Sequence, residues 1–272
     1  MKTKYKFFIA KIIFSIISLF KRNFFVRCTR NKINWDLDLS EALDLSIYVF
    51  GKFEHEIVDS AIQMSLAKNQ IIIDIGANIG VQTLQFANKF EKSNVISIEP
   101  TDYAYQKMKN NLKLNPNMSN RVTTLQSYLS CNKNFKPSDV YSSWKLNSKK
   151  EQHLKHKGIK ESLINASQSS LDKIISENRV ANVSFIKLDV DGPELDVLKS
   201  GEKFLLKNKP PIFMELAPYL YPEFGYTYLD LINYISFLGY NYYTINPIKK
   251  IENVEKYILK IKDGSSKNIL IM

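Results

Sequence analysis

Asp74, Gly76, Ala77, Asn78 and Gly80 fall within one short run, DIGANIG, where small residues follow an acid. Gly76 permits a tight turn, Ala77 and Asn78 stay small enough for a ligand to approach the backbone, and Gly80 lets a following helix start close to a sheet. The spacing departs from GxGxxG, the dinucleotide fingerprint. An acid ahead of the first glycine repels a pyrophosphate and welcomes a cationic ligand. Glu99 closes another apolar run, 25 residues after Asp74 (99 minus 74). A carboxylate there can accept hydrogen bonds from both hydroxyls of a ribose. Taken singly, Asp74 would be a turn-capping acid and Glu99 a solvent-facing strand end; together, at successive strand ends, they favour a nucleoside-like, cationic ligand.

LDVDGPE supplies a second group of acids: Asp189 at a strand's carboxyl end, Asp191 two residues on, and Glu194 in a first helical turn. Helix capping and dipole pairing account for Asp191 and Glu194 at least as well as catalysis does. Asp189 is the better candidate for a general base, with Glu215, at the end of the next strand, as a weaker companion. The pair could instead hold a divalent ion, but LDVDGPE has no histidine ligand nearby, so the base is favoured and the metal stays open. His55, His153 and His156 are the only histidines. A lone histidine is more often surface or core than a base, and the last two lie in an irregular stretch.

Strands alternating with helices must carry these residues. IIIDIG reads as a strand from Ile71 feeding a helix from Gly80 to Phe90; Val95–Ile98 and Ala104–Leu114 make a second such unit. Further strands are expected at Val122–Leu125, Val183–Leu188 and Ile212–Leu216. Helices are expected at 171–178, 194–206 and 228–238, with Pro193 suiting a first turn. Tyr240–Ile245 and the terminal KNILIM are expected as an antiparallel edge pair. The pattern predicts an α/β fold, doubly wound and Rossmann-like, with a mostly parallel sheet and helices on both faces. Residues 130–170, rich in Lys, Ser and Asn, read as an irregular insertion over the ligand end of the sheet.

The residues now define a resemblance. FEHEIVDSAIQ, IIIDIGANIGVQTLQFA, VISIEP, NNLKLN and IKLDVDGPELDVLKSG followed by PIFMEL make the stretch from Phe53 to Leu216 similar to the FkbM family of S-adenosylmethionine-dependent methyltransferases. The resemblance implies a class I methyltransferase architecture. Asp74, Gly76, Asn78 and Gly80 would line the methionine end of S-adenosylmethionine, and Glu99 would hold its ribose. It implies methylation of a hydroxyl oxygen on a sugar, glycan or secondary metabolite. From Phe135 to Gln168, where acceptor contacts are expected, the match is loose.

Composition narrows the partners. The chain has 272 residues, 38 Lys and Arg against 27 acids, and a formal charge of +11, but the basic residues are dispersed, which speaks against a nucleic-acid face. An RNA-modifying methyltransferase and a non-catalytic binding protein of the same fold are the alternatives; retention of Asp74 and Glu99 argues against the second. Cys28 and Cys131 show no metal spacing or pairing, which fits a reducing compartment such as the cytoplasm. Residues 1–45 are expected as a basic, apolar helical extension ahead of a catalytic domain over 46–272. Lys2, Lys4 and Lys6 precede an apolar run from Phe7 to Phe20 that Lys11 interrupts, too short and broken for a comfortable transmembrane helix, which leaves a true anchor as the least favoured reading. Phe7, Phe8, Ile12, Ile16 and Leu19 fall near one helical face, which suits packing on the domain or peripheral membrane contact.

Overall fold

Isoleucine- and valine-rich runs with no polar alternation read as strands buried on both faces, and those at Ile71–Ile75 and Val183–Leu188 lie side by side at the centre of the fold. The computed structural model describes residues 3–51, 53–66, 70–132 and 136–272; Lys2 and Phe135 lie outside the described residues. In chain order, α1 (Thr3–Phe20), β1 (Phe25–Arg30), β2 (Ile33–Asp38), α2 (Ala42–Phe50) and α3 (His55–Gln63) precede β3 (Ile71–Ile75) and α4 (Val81–Lys89). Then come β4 (Asn94–Ile98), α5 (Asp102–Lys113), α6 (Pro116–Ser119) and β5 (Val122–Leu125). β6 (Ser127–Leu129) leads into the insertion, which holds β7 (Asp139–Ser143), β8 (Ile159–Ser162) and β9 (Ser167–Ser169). The rest comprises α7 (Leu171–Glu177), β10 (Val183–Leu188), α8 (Glu194–Ser200), α9 (Glu202–Asn208), β11 (Ile212–Leu216), α10 (Tyr228–Phe237), β12 (Tyr242–Ile245), β13 (Ile248–Lys250), α11 (Val254–Ile258) and β14 (Lys267–Ile271).

The main sheet runs β5-β4-β3-β10-β11-β14-β12-β13. β5, β4, β3, β10 and β11 are mutually parallel, and β14 is antiparallel to both of its neighbours. The expected antiparallel pairing of β12 with the terminal strand is present, but β14 does not stand at the edge. It lies inside the sheet because Ile269, Leu270 and Ile271 are all buried and demand cover on both faces; the antiparallel edge is formed by β12 and β13. One face packs Ile73, Ile75, Leu188 and Met214 with Ile174, Leu198 and Leu231 from the helices. The other packs Ile72, Phe185, Phe213 and Leu270 with Ile57, Val58 and Phe86, and Phe185 meets Phe86 and Phe213 edge-on at 5.2 and 5.5 Å.

Two further expectations are revised. The helix expected over 194–206 breaks at Gly201, where a Cβ would come within 2.6 Å of the Leu171 side chain. On α1, Phe7 does not share a face with Phe8, Ile12, Ile16 and Leu19. It is buried with Ile33, Trp35 and Leu37 in a cluster that continues to Ile79 and Met108, whereas the other four are exposed. The stretch without sustained periodicity contains two short ladders, β6 with β9 and β7 with β8.

Candidate active site

The crevice opens where the chain leaves β3 toward β4 on one side and β10 on the other, the place where an open α/β sheet reverses its strand order. Gly76 turns at φ +78°, and a Cβ there would lie 1.7 Å from the carbonyl oxygen of Asp189. Two loops thus touch main chain to main chain. Gly76 and Ala77 donate their N–H groups to the Ile98 carbonyl at 2.9 and 3.0 Å, and Asp189 donates its own to Ile75 at 3.1 Å. Asn78 is left-handed at φ +50° and donates its N–H to Glu99 Oε2 at 2.8 Å. The buried Gly80 starts α4 at φ +85° beside the Met108 side chain, which a Cβ would meet at 2.8 Å.

Glu99 is buried at its strand end. Besides Asn78, it accepts from the Thr101 N–H at 2.9 Å and the Thr101 hydroxyl at 2.5 Å. Three of roughly four acceptor positions on a carboxylate are thereby used. Burial pushes its pKa up, and those hydrogen bonds pull against the shift.

Gly76, Asn78, Glu99 and Asp189 line one cavity of about 360 Å³, within the range of small-molecule sites. Asp74 stands behind its wall. Its fully buried carboxylate accepts from Thr83 Oγ1 at 2.6 Å, and its second oxygen, without a hydrogen bond, lies 4.0 Å from Lys187 Nζ. Asp74, Lys187 and Glu215 continue, on adjoining strands, the face that carries Ile72, Phe185 and Phe213.

Lys187 is the residue that sequence reasoning missed. Its buried ammonium sits 3.1 Å from Asp189 Oδ2 and donates to the Gly76 carbonyl at 3.3 Å, tying the two loops together. Burial works to discharge it, yet Asp189, Asp74 and Glu54 hold its pKa above the ordinary value. A lysine inside the apolar run VSFIKL was the available signal. Glu54, just before α3, was missed as well; burial and the Asp189 charge push it up to about 7. Asp189, Asp191 and Glu215 can each bring one carboxylate oxygen within 4.8 Å of the others. Burial first, then the charge of Asp189, raises Asp191 and Glu215 well above the ordinary carboxylate range. Glu194 is buried and accepts the Gly192 N–H at 3.1 Å, bracing the turn; Tyr226 donates to the Gly192 carbonyl and reaches Glu194 Oε2 at 3.3 Å.

The far wall comes from the insertion and from the segment after β11, with Tyr128, Tyr141, His156, Glu223 and Phe224. His153 and His156 stack at 3.9 Å, and Tyr141 meets both edge-on. His153 Nδ1 accepts from the N–H groups of Lys155 and His156, both at 3.2 Å, so Nε2 carries the proton given to Glu223 at 2.9 Å. His156 Nδ1 accepts from the Gly158 N–H at 3.1 Å. Burial and His153 push His156 down to about 3, which leaves it neutral. His55 does not line the cavity; it contacts Asn31 at 3.4 Å. Cys28 and Cys131 are free thiols.

The strand order, with its antiparallel strand between β11 and β12 and carboxylates ending β3 and β4, is that of a class I methyltransferase. A family model of the FkbM methyltransferase domain matches residues 74–242. The match covers more than half of the chain, and the chain belongs to this family. The methyltransferase sdnD of Sordaria araneosa is 25% identical over 198 residues, 61% of this chain and 76% of that protein. Among solved structures, the FkbM methyltransferase of Methylobacillus flagellatus KT is 18% identical, with 75% of this chain and 43% of that chain covered and a TM-score of 0.45. This chain therefore spans less than half the length of that solved protein. TYW2 of M. jannaschii, solved in complex with AdoMet, is 14% identical over 92% of this chain and 85% of that chain, with a TM-score of 0.42.

Proposed function

We propose that this methyltransferase uses S-adenosylmethionine to methylate a hydroxyl oxygen of a small-molecule or glycan acceptor. One observation carries the reading: the glycine loop, Glu99 and Asp189 converge on a single cavity whose opposite wall is aromatic. The residues fit the cofactor. Gly76, where no Cβ would fit, lets the Asp189 carbonyl pack against its main chain and so brings both loops to the cavity. Glu99 keeps about one acceptor position for a ribose hydroxyl. Bound there, S-adenosylmethionine supplies an electrophilic methyl group.

A hydroxyl is a weak nucleophile, so the protein must orient it and take its proton. Asp189 is assigned that proton. It lines the cavity 3.1 Å from the Lys187 ammonium, while burial and the charge of Asp189 drive the neighbours Asp191 and Glu215 toward their neutral forms. Glu215 acts as a companion at the next strand end rather than as a second base. Neutral His156, with Nδ1 occupied, presents Nε2–H as a donor to the acceptor and cannot serve as the base. Tyr128, Tyr141 and Phe224 suit the apolar face of a sugar ring or a metabolite ring. Calorimetry with S-adenosylmethionine tests the first half of the reading. Labelled S-adenosylmethionine with fractionated extract, followed by mass spectrometry of the product, tests the second. Absence of binding would sink the enzyme, and a methyl group found on nitrogen or carbon would sink the hydroxyl assignment.

A further inference from the structure

Helix α1 has two apolar faces, and the fold covers one of them. Phe7, Ala10, Ile13, Phe14 and Ile17 turn toward the cluster that contains Ile33, Trp35 and Leu37. Round the other side, Tyr5, Phe8, Ile9, Ile12, Ile16 and Leu19 are exposed, at steps of three and four that keep them on one side of a 3.6-residue helix. Phe20, the last residue of the helix, is 86% exposed, and Phe25, opening β1, is 69% exposed. Six exposed apolar side chains in a band on one side of a single helix mark a binding face rather than ordinary solvent exposure.

Charge identifies what binds. Lys4 and Lys11, two turns apart, follow one margin of the band, Lys6 follows the other, and Lys21 and Arg22 stand at its end. Helix α1 contains no acidic residue. An apolar stripe bordered by lysines fits the boundary between acyl chains and anionic headgroups, with the helix axis parallel to the surface. No helix among the described residues is long and apolar enough to cross a membrane. We propose that the outer face of α1 docks the protein onto a bilayer containing anionic lipid, while its inner face stays packed on the domain.

Sedimentation of the full chain with vesicles tests this. Wild type should bind vesicles of phosphatidylcholine with about one third phosphatidylserine at least about tenfold more tightly than phosphatidylcholine alone, and lose that margin in high salt. Ile12→Glu with Ile16→Glu, both at exposed positions, should cut binding by about tenfold or more, with circular dichroism and cofactor affinity unchanged. Lys4→Gln with Lys11→Gln should weaken binding to the anionic vesicles alone. Failure of wild type to bind anionic vesicles, or equal binding by the glutamate pair, overturns the proposal. A dimer that the glutamate pair dissolves, without vesicle binding, would assign the face to a second copy and overturn it equally.

Discussion

At the residue scale the site turns on which carboxylates meet the ligand and which support it. Glu99 faces the cavity, so Glu99→Gln should weaken S-adenosylmethionine by roughly 1.5–3 kcal/mol, the range for a charge-assisted hydrogen bond, read by calorimetry. Asp189→Asn keeps the shape and removes the charge. Turnover should fall by roughly 10²–10⁴ with cofactor affinity nearly unchanged. Activity abolished by EDTA and restored by magnesium would transfer the role from a base to a metal held by Asp189, Asp191 and Glu215. The glycine loop after β3 was legible in the sequence because a tight turn depends on local backbone shape. Lys187 was not, because its meaning comes from β3 and β10 lying side by side, a relation between residues 74 and 187 that no local pattern encodes. Nor could Asp74 be separated from Glu99: both end apolar runs, and only the pleat decides which side chain reaches the crevice.

At the scale of elements, α1 contributes packing but no cavity residue. Deleting residues 1–22 should leave cofactor affinity intact while lowering stability by about 2–4 kcal/mol, from loss of the buried Phe7 and its partly buried companions. Urea denaturation paired with calorimetry separates the two effects. The central strands were readable because burial on both faces writes an unbroken apolar run. The β1–β2 hairpin escaped notice: its two-residue loop is Asn31-Lys32, both left-handed at φ +51° and +64°, where a glycine would have announced the turn. The insertion ladders escaped for a different reason, since strands of three to five residues rich in serine carry too little alternation to register.

At the scale of the whole molecule, the site concentrates buried acid around one buried lysine, and stability must respond to pH. Burial raises Glu194 from 4.5 to about 7. Between those values the folded chain holds a proton that the unfolded chain has released, so its contribution to stability declines as pH rises through this window and is level above it. Glu194→Gln preserves the acceptor for Gly192 and removes the titration. The variant should gain on wild type by on the order of 1–3 kcal/mol between about pH 5 and pH 7.5, measured by urea unfolding. A constant difference across that range would place the titration elsewhere. The order of strands across the sheet also sets a schedule. β11 and β12 are neighbours of β14, yet both are synthesised before it, with 22 positions (267 minus 245) between the end of β12 and the start of β14. At ribosomal rates of about 5–20 residues per second, the slot between them stands open for about 1–4 s. In that interval β12 has β11 itself as a parallel partner, and closing directly onto it would shut β14 out. The nascent chain must hold that gap until β14 arrives.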